Sequence, residues 1–404
     1  MLSQPLILVV NCGSSSLKFA LLDPDSKHCE LEGIAESLNS DKARLSWRFH
    51  GKQHSLALNN LSVSNQSRHQ IAGEAIIELL DQLELRRRVT AIGHRVVHGG
   101  QHFSASVIID DRVIEAIKAC SSLAPLHNPA NLTGIEVVTE HFPELNQVAV
   151  FDTAFHQTMP AHAYLYALPY SLYQEQHVRR YGFHGTSFRY VSGQAQQRLN
   201  ISPTDHGLVI AHLGNGASAC AVHNGNSVDT TMGLTPLEGL VMGTRSGNID
   251  PGLFHFLHQR CDYSIEDIDT LLNKRSGLLG ISQLSNDMRT LELAADEGNT
   301  QAQLAIKVFC YQLAKQIAGL MTALPRCDAL IFTGGIGENS RRVRHETVEQ
   351  LSSLGWHIDT ALNANNGANT NGLVNRENAP SIGVIATNEE LMIAQDVIAL
   401  TSEP

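Results

Sequence analysis

The sequence lacks an excess of basic charge, paired cysteines and long apolar runs. Lysine and arginine total 29 against 40 acidic residues, and the formal net charge of -11 disfavours binding to nucleic acid. The seven cysteines are scattered without a Cys-x-x-Cys pair, so neither disulfides nor a zinc ribbon is expected. No stretch reaches the length of a membrane span, and the apolar run at residues 6–10 is too short for a signal peptide. These absences predict a cytoplasmic protein that does not bind membranes.

Three familiar site motifs are also missing. The chain has no GxxxxGK[ST] P-loop, and the fragment Gly335-x-Gly337 lacks the remaining glycine of a dinucleotide fingerprint. It has no His-Glu-x-x-His either. His94, His98 and His102 are four residues apart, but their segment reads as strand and loop, so the geometry of a helical zinc pair is not reproduced. Any bound nucleotide must therefore be held in another way.

Length and hydrophobic pattern predict two well-packed α/β domains. The 404 residues exceed what one core usually organises, and 43% of them are hydrophobic. Residues 5–11 and 16–22 predict a hairpin with a polar tip, and residues 208–213 and 217–222 repeat this plan about two hundred positions later, which indicates a duplicated domain. Further strands are predicted at 90–97, 147–151, 329–333 and 381–386, and helices at 111–120 and 300–324.

Two local patterns occur near the end of the sequence. Thr387 and Glu390 have the spacing of a capping box, which predicts a helix with Thr387 as its N-cap. Residues 362–375 are rich in asparagine and glycine and predict a surface loop.

Three glycine-containing segments are candidates for binding phosphate. Ser14, Ser16 and Lys18 alternate along the first hairpin, so their side chains can project to one face, although an ordinary serine and glycine turn would look similar. Residues 212–216 (HLGNG) allow close backbone approach to an anion, but Asn-Gly is also the commonest tight-hairpin pair. Residues 333–339 follow a predicted strand and can open a helix, which suits contact with a nucleotide.

Four charged residues are candidates for catalytic chemistry. Arg95 and Arg245 stand among small residues, and a forked guanidinium suits a carboxylate or a developing phosphoryl charge, with surface salt bridges as the alternative. Asp152 follows a buried strand and is a candidate magnesium ligand or base, or else a loop cap. Glu389 is not used by the predicted capping box and could face a cation, or simply complement the helix dipole.

With these residues assembled, the chain resembles the acetate kinase family, within the superfamily of sugar kinases, Hsp70 ATPase domains and actin. The resemblance implies two duplicated actin-like (ribonuclease H-like) α/β domains with the nucleotide in the cleft between them. The first would comprise residues 1–152 plus 387–404 on the acid side, and the second residues 153–386 on the nucleotide side. The motifs that carry the resemblance lie at residues 11–19, 93–100, 124–131, 150–160, 179–188, 212–218, 229–251, 332–339 and 387–394.

The resemblance also implies roles for individual residues. Asp152 would be the catalytic acidic residue, His184 and Arg245 the stabilisers of the transition state, and Asn215 would line the same cleft. Asn11 and Glu389 would hold Mg²⁺, with Mn²⁺ as a substitute. Residues that would bind ATP are Lys18, His212, Leu213, Gly214, Asn215, Gly216, Asp287, Met288, Arg289, Gly335, Ile336, Gly337, Glu338 and Asn339. Residues that would bind the acid are Arg95 at its carboxylate, His127, and an acyl pocket of Val97, Leu126, Phe183 and Pro236.

The reaction implied by the resemblance is reversible, direct in-line phosphoryl transfer from ATP to acetate, giving acetyl phosphate and ADP, in a homodimer. A propionate or butyrate kinase is a close alternative, since one methylene changes discrimination by only about 1 to 3 kcal/mol. An actin-like or Hsp70-like ATPase is an alternative of another class. It leaves the two arginines in small-residue loops unexplained, and no appended client-binding domain is expected from the sequence.

Overall fold

The computed structural model describes residues 4–13, 15–38, 40–58, 67–125 and 127–402. Ser14 and Leu126, both predicted site residues, lie outside the described residues. The chain divides into two compact units, which we call unit 1 (Met1–Phe155 with Asn388–Pro404) and unit 2 (His156–Thr387). All seven cysteines are free thiols. Across the described part of the chain, no helix is both long and apolar enough to cross a lipid bilayer.

Unit 1 is built on an eight-stranded mixed sheet with the order β5-β4-β3-β2-β1-β6-β8-β7. The central strand β1 is an apolar run that is buried almost throughout, whereas every residue of the edge strand β5 is exposed. The strands are β1 (Leu6–Cys12), β2 (Leu17–Leu22), β3 (Cys29–Glu36), β4 (Arg44–Phe49), β5 (Lys52–Ala57), β6 (Val89–Val96), β7 (Val107–Ile108) and β8 (Gln147–Phe151).

Helices cover both faces of this sheet, which explains the continuous apolar character of β1. The described helices of unit 1 are α1 (Arg68–Gln82), α2 (Asp111–Ala119), α3 (Asn128–His141) and α15 (Glu389–Thr401). Alternate β1 residues enter two different cores, with Leu8 on the side of α1 and Val9 on the side of α15. Gly93 of β6 lets α15 approach closely, because a Cβ there would lie 2.4 Å from Ile393 and 2.8 Å from Val397.

Unit 2 is built on a five-stranded sheet with the order β11-β10-β9-β12-β13. Its strands are β9 (Gly207–Leu213), β10 (Ala217–His223), β11 (Asn226–Thr230), β12 (Ala329–Thr333) and β13 (Ser381–Val384). Strand β9 pairs antiparallel with β10 and parallel with β12, just as β1 pairs antiparallel with β2 and parallel with β6. The two sheets thus share one pairing plan, and the predicted α/β class is confirmed.

The helices of unit 2 surround this sheet, with the long α11 packed against β9 and β10. Their bounds are α4 (Ala161–Tyr164), α5 (Tyr170–Gln176), α6 (Gly185–Arg198), α7 (Gly252–Cys261), α8 (Ile265–Lys274), α9 (Gly277–Ser282), α10 (Met288–Asp296), α11 (Thr300–Met321), α12 (Gly334–Asn339), α13 (Arg341–Gln350) and α14 (Thr360–Ala364).

Two local predictions near the end of the sequence were right in part: the predicted C-terminal helix is present as α15, and residues 365–372 form turns. The N-cap of α15 is Asn388, whose side chain accepts from Leu391 N, and not Thr387. The predicted loop at 362–375 begins inside α14. Asn363 is only 3% exposed, because its Oδ1 accepts a hydrogen bond at 2.7 Å from Nε of the fully buried Arg344.

Candidate active site

Three polar side chains form a row across neighbouring strands of unit 1. In the strand register, Lys18 of β2 is paired with Asn11 of β1, and Asn11 is paired with Arg95 of β6. Asn11 and Arg95 are half-buried and Lys18 is exposed, although most of their neighbours in these strands are buried. The fold therefore brings three of the predicted site residues to one end of the sheet.

Arg95 is the centre of a hydrogen-bonded group in unit 1. Its Nε donates to Asp152 Oδ1 at 3.1 Å, its Nη2 pairs with Asp152 Oδ2, and its Nη1 donates to Asn11 Oδ1 at 3.2 Å. The Asp152 side chain is 2% exposed. Burial opposes the charged guanidinium, yet the carboxylates of Asp152 and Glu389 raise the pKa of Arg95 above its ordinary value. Arg95 therefore stays positively charged and is held rigidly.

Glu389, at the start of α15, adds a second carboxylate to this group. Its Oε2 lies 3.9 Å from Arg95 Nε. Burial is the main cause that raises the pKa of Glu389, Glu390 adds to it, and Arg95 and Lys18 oppose it. A bound cation would stabilise the ionised form of this carboxylate.

The oxygen donors of Asn11 and Glu389 fit a magnesium ion, because Mg²⁺ prefers oxygen ligands. Within the described ranges no group of three His, Cys, Asp or Glu residues forms a metal cage. This is consistent with an ion that takes one or two protein oxygens and completes its shell with water and substrate phosphates.

In unit 2 the tip of the β9–β10 hairpin is flanked by His184 and Arg245. Gly214 N donates to Gly216 O at 2.9 Å and closes the turn. A Cβ on Gly216 would lie 3.6 Å from His184 Nε2 and 3.7 Å from Arg245 Nη1. His184 has a left-handed φ of 58° and precedes α6, and its Nδ1 is hydrogen-bonded to Ser218 Oγ at 2.8 Å. Its ring stacks on that of His212 with centroids 4.4 Å apart.

Arg245 carries a half-buried positive charge. Its Nη1 donates to Pro236 O at 3.2 Å and contacts Met242 Sδ at 3.6 Å. Burial lowers the pKa of Arg245. Among the residues that the structure describes, no carboxylate forms an ion pair with it. Since an uncompensated buried charge is costly, an anion bound at the hairpin tip would be favoured.

A cavity of about 660 Å³ in unit 2 adjoins the same hairpin. It brings together three of the predicted nucleotide-binding segments. Its lining consists of Gly214, Asn215, Asn286, Asp287, Met288, Arg289, Glu292, Gly335, Ile336, Asn339 and Ser340. Asn286, Glu292 and Ser340 were not predicted, because no motif contains them. Only the one-turn spacing from Met288 to Glu292 could have indicated that these two share a helix face.

Several of the predicted ATP-binding side chains have protein partners, among them Glu338 and Arg289. The Glu338 carboxylate accepts from Gly334 N at 2.9 Å and from Thr387 N at 3.2 Å, so it holds the glycine-rich turn. Arg289 is paired with Asp287 at 2.7 Å, while its side chain is 85% exposed. Glu338 thus shapes the segment that lines the cavity, and Arg289 is open to solvent beside it.

The residues predicted to bind the acyl group are distributed over both units. Val97 in unit 1 is 5% exposed, and its N–H donates to Asn131 Oδ1 at 3.0 Å. Phe183 in unit 2 is 2% exposed. His127 is the N-cap of α3, where its side chain makes no capping hydrogen bond. The contacts of these residues with substrates stay predictions.

In the first hairpin, the carbonyl of Ser16, a predicted phosphate-binding residue, accepts from Gly13 N at 2.7 Å and closes the turn. The contact of Ser16 with phosphate also stays a prediction.

Comparison with known proteins identifies the family. The model of the Acetokinase family matches residues 6–395. Acetate kinases of Shewanella amazonensis (strain ATCC BAA-1098 / SB2B) and Shewanella sp. (strain ANA-3) are 48% identical over 404 residues, which is all of both chains.

Two solved structures cover 98% of the chain. A propionate kinase from Francisella tularensis subsp. tularensis SCHU S4 has 46% identity and a TM-score of 0.92, with 100% of that chain covered. Porphyromonas gingivalis acetate kinase has 39% identity and a TM-score of 0.89, with 99% of that chain covered. Since these matches extend over nearly the whole sequence and confirm the predicted resemblance, the chain belongs to the acetokinase family.

Proposed function

We propose that this protein is an acetate kinase. An acetate oxygen attacks the γ-phosphorus of ATP, the bond to the β-γ bridging oxygen breaks, and acetyl phosphate and ADP are formed reversibly. The observation that carries the proposal is the guanidinium of Arg245, which lies beside the hairpin tip and next to a nucleotide-sized cavity. Among the described residues, no carboxylate pairs with this cation, which suits the negative charge that develops on a phosphoryl group during its transfer.

Phosphoryl transfer requires positioning and charge stabilisation more than covalent chemistry by the protein. The glycine-bearing hairpin offers backbone N–H groups to phosphate oxygens, and Lys18 adds a positive charge. His184 and Arg245 contact the equatorial oxygens in the transition state. Transfer is direct, without a phosphoenzyme.

Arg95 orients the carboxylate of acetate. Its pairing with Asp152 supports a role for Asp152 in holding that guanidinium in place. Asn11 and Glu389 would hold Mg²⁺, or Mn²⁺ in its place, and the ion would neutralise phosphate charge when the nucleotide is bound. Val97, Leu126, Phe183 and Pro236 would limit the size of the acyl group.

Propionate is a second candidate acceptor. The Francisella tularensis relative, which is 46% identical, carries the name propionate kinase. A small apolar pocket separates acids that differ by one methylene only weakly, so propionate should react more slowly and still measurably.

We also propose that the protein is a homodimer in the cytoplasm. Helix α7 has no buried residue, and its Leu253, Phe254 and Phe256 are 39%, 43% and 54% exposed. Such an apolar helix supports a homodimer in which a second copy covers it. The free thiols suit the reducing cytoplasm, and the net charge of -11 gives no affinity for nucleic acid.

The test is an acyl phosphate assay on purified protein with acetate, propionate and butyrate. Arg245→Ala should lower kcat by about a hundredfold or more, since it removes a charge aimed at the transition state. Arg198→Ala, at an exposed position in the last turn of α6, is the matched control and should retain full turnover. Full activity of Arg245→Ala, or no acyl phosphate from any of the three acids, would contradict the proposal.

A further inference from the structure

The cavity in unit 2 is also lined, away from the hairpin, by a hydrogen-bonded pair of polar side chains, Glu292 and Ser340. At the hairpin, Asn286 Nδ2 donates to Asn215 Oδ1 at 2.8 Å, so the segment just before α10 lies against the tip. Glu292 lies on α10, four residues beyond Met288, which corresponds to about 6 Å along the helix axis. The lining therefore runs from the phosphate side at Asn215 to a carboxylate at Glu292.

The contacts of Glu292 leave it one oxygen for a ligand. Ser340, the N-cap of α13, accepts from Val343 N at 3.0 Å and donates its hydroxyl proton to Glu292 Oε1. A serine hydroxyl has one proton, so this bond fixes the carboxylate on one side. Within the described part of the chain, Glu292 Oε2 has no hydrogen-bond partner.

We propose that Glu292 selects adenine nucleotides by accepting a hydrogen bond from the 6-amino group of the base. The inference rests on the proposed function, since it assigns the base end of the same nucleotide site. A single acceptor oxygen matches a single exocyclic amine. Guanine has a carbonyl at that position, which the carboxylate would repel, and its neighbouring N1–H and 2-amino donors are bound best by two free oxygens, whereas Oε1 already accepts from Ser340.

A merely structural role is the competing explanation, because the Glu292 and Ser340 pair also ties α10 to α13. The two explanations differ in one measurable respect. Loss of a structural tie would weaken all nucleotides alike, whereas loss of a base contact would weaken only those that carry the 6-amino group.

The test compares ATP with purine riboside 5′-triphosphate, which has hydrogen in place of the amine, and with GTP. We expect wild-type kcat/KM to favour ATP over purine riboside triphosphate by about 10-fold to 100-fold, the range for a hydrogen bond to a charged group. In Glu292→Ala this ratio should fall to about 1. In Glu292→Gln the side-chain carbonyl can keep the bond from Ser340, while the NH2 group can only donate, so the ratio should again fall to about 1 with the tie between the helices retained. Ser340→Ala should raise the use of GTP because it releases the second oxygen.

Calorimetric titration of the same nucleotides gives a readout that does not depend on the acyl acceptor. A wild-type ratio of about 1, or an equal loss for both purine nucleotides in Glu292→Ala, overturns the inference. If wild type binds the nucleotides with the expected ratio but forms no acyl phosphate, the proposed function fails and the base assignment stands. If ATP supports acyl phosphate formation with no dependence on the amine, only the base assignment fails.

Discussion

At the scale of single residues, Arg95 has two tasks that an alanine substitution cannot separate. Its guanidinium compensates the nearly inaccessible Asp152 and is also the proposed anchor for the acid. Arg95→Ala should destabilise unit 1 by about 3 to 5 kcal/mol, because it removes the positive charge that compensates this buried carboxylate. Low activity of that variant alone would therefore prove little.

Arg95→Lys separates the two tasks, because lysine keeps the charge beside Asp152 and loses the planar fork. We expect kcat/KM for acetate to fall by about a hundredfold, with much less loss of unfolding free energy than in Arg95→Ala. Initial rates at varied acetate and urea unfolding of both variants are the measurements. An unchanged KM and kcat for acetate in Arg95→Lys would exclude bidentate recognition of the acid.

The residue types of the site were accessible to sequence reasoning, while several partners were not. Alternation along a strand and adjacency to glycine are local properties, and they indicated Lys18 and Arg95. The bond from Asn286 to Asn215 joins residues 71 positions apart and depends on how α10 meets the hairpin. The same holds for Glu292 and Ser340, which are 48 positions apart. Such pairs have no sequence signature.

At the scale of elements, one carboxylate links two segments of unit 2. Glu338 accepts from the first residue of α12, Gly334, and from Thr387. Glu338→Ala should leave two partly buried N–H groups without this acceptor and cost about 1 to 3 kcal/mol of unfolding free energy. Because α12 lines the cavity, KM for ATP should rise while KM for acetate changes little.

Glu338→Gln is the matched control, because its side-chain carbonyl can still accept from both N–H groups. Steady-state kinetics and urea unfolding of the two variants would show the difference. If Glu338→Ala and Glu338→Gln behave alike, the negative charge of Glu338 matters more than its capping of the turn.

Elements that depend on local chemistry were predicted, and those decided by distant residues were not. Both hairpins follow from two apolar runs joined by a short polar turn that contains glycine. The capping box failed because the backbone N–H of Thr387 is bound by Glu338 and its hydroxyl by Ser187, at 2.7 Å. The loop predicted at 362–375 starts too early, because Asn363 belongs to α14 and is held inside by Arg344. Strands β3 to β5 were not anticipated, since their residues are largely half-exposed or exposed and lack a clear period.

At the scale of the whole molecule, buried histidines predict sensitivity to acid. Burial lowers the pKa of His94 and His98 in unit 1 and of His156 in unit 2 to about 4. As pH falls below the ordinary value of 6.5, the unfolded chain takes up these protons first, so stability is complete above that pH and is lost toward pH 4. Each group contributes about 1.4 kcal/mol per pH unit in that window.

Urea unfolding at pH 7, 6 and 5 measures this slope. His94 is hydrogen-bonded to Gln147 at 2.7 Å, so His94→Asn should flatten the slope for unit 1, at some cost in stability at pH 7. A free energy of unfolding that is constant from pH 7 to 5 would show that these histidines take up protons as readily in the folded protein as in the unfolded chain.

The position of α15 has a consequence for how the chain acquires its structure during synthesis. Residues 388–402 leave the ribosome only after the whole of unit 2, yet Ile393 and Val397 cover Gly93 in the sheet of unit 1. Unit 2 is continuous in sequence and can complete its folding before unit 1 does. Strands β1 and β6 are synthesised earlier, and their apolar face stays uncovered during the translation of more than half the protein. The nascent chain is therefore expected to bind chaperones that recognise exposed hydrophobic surface.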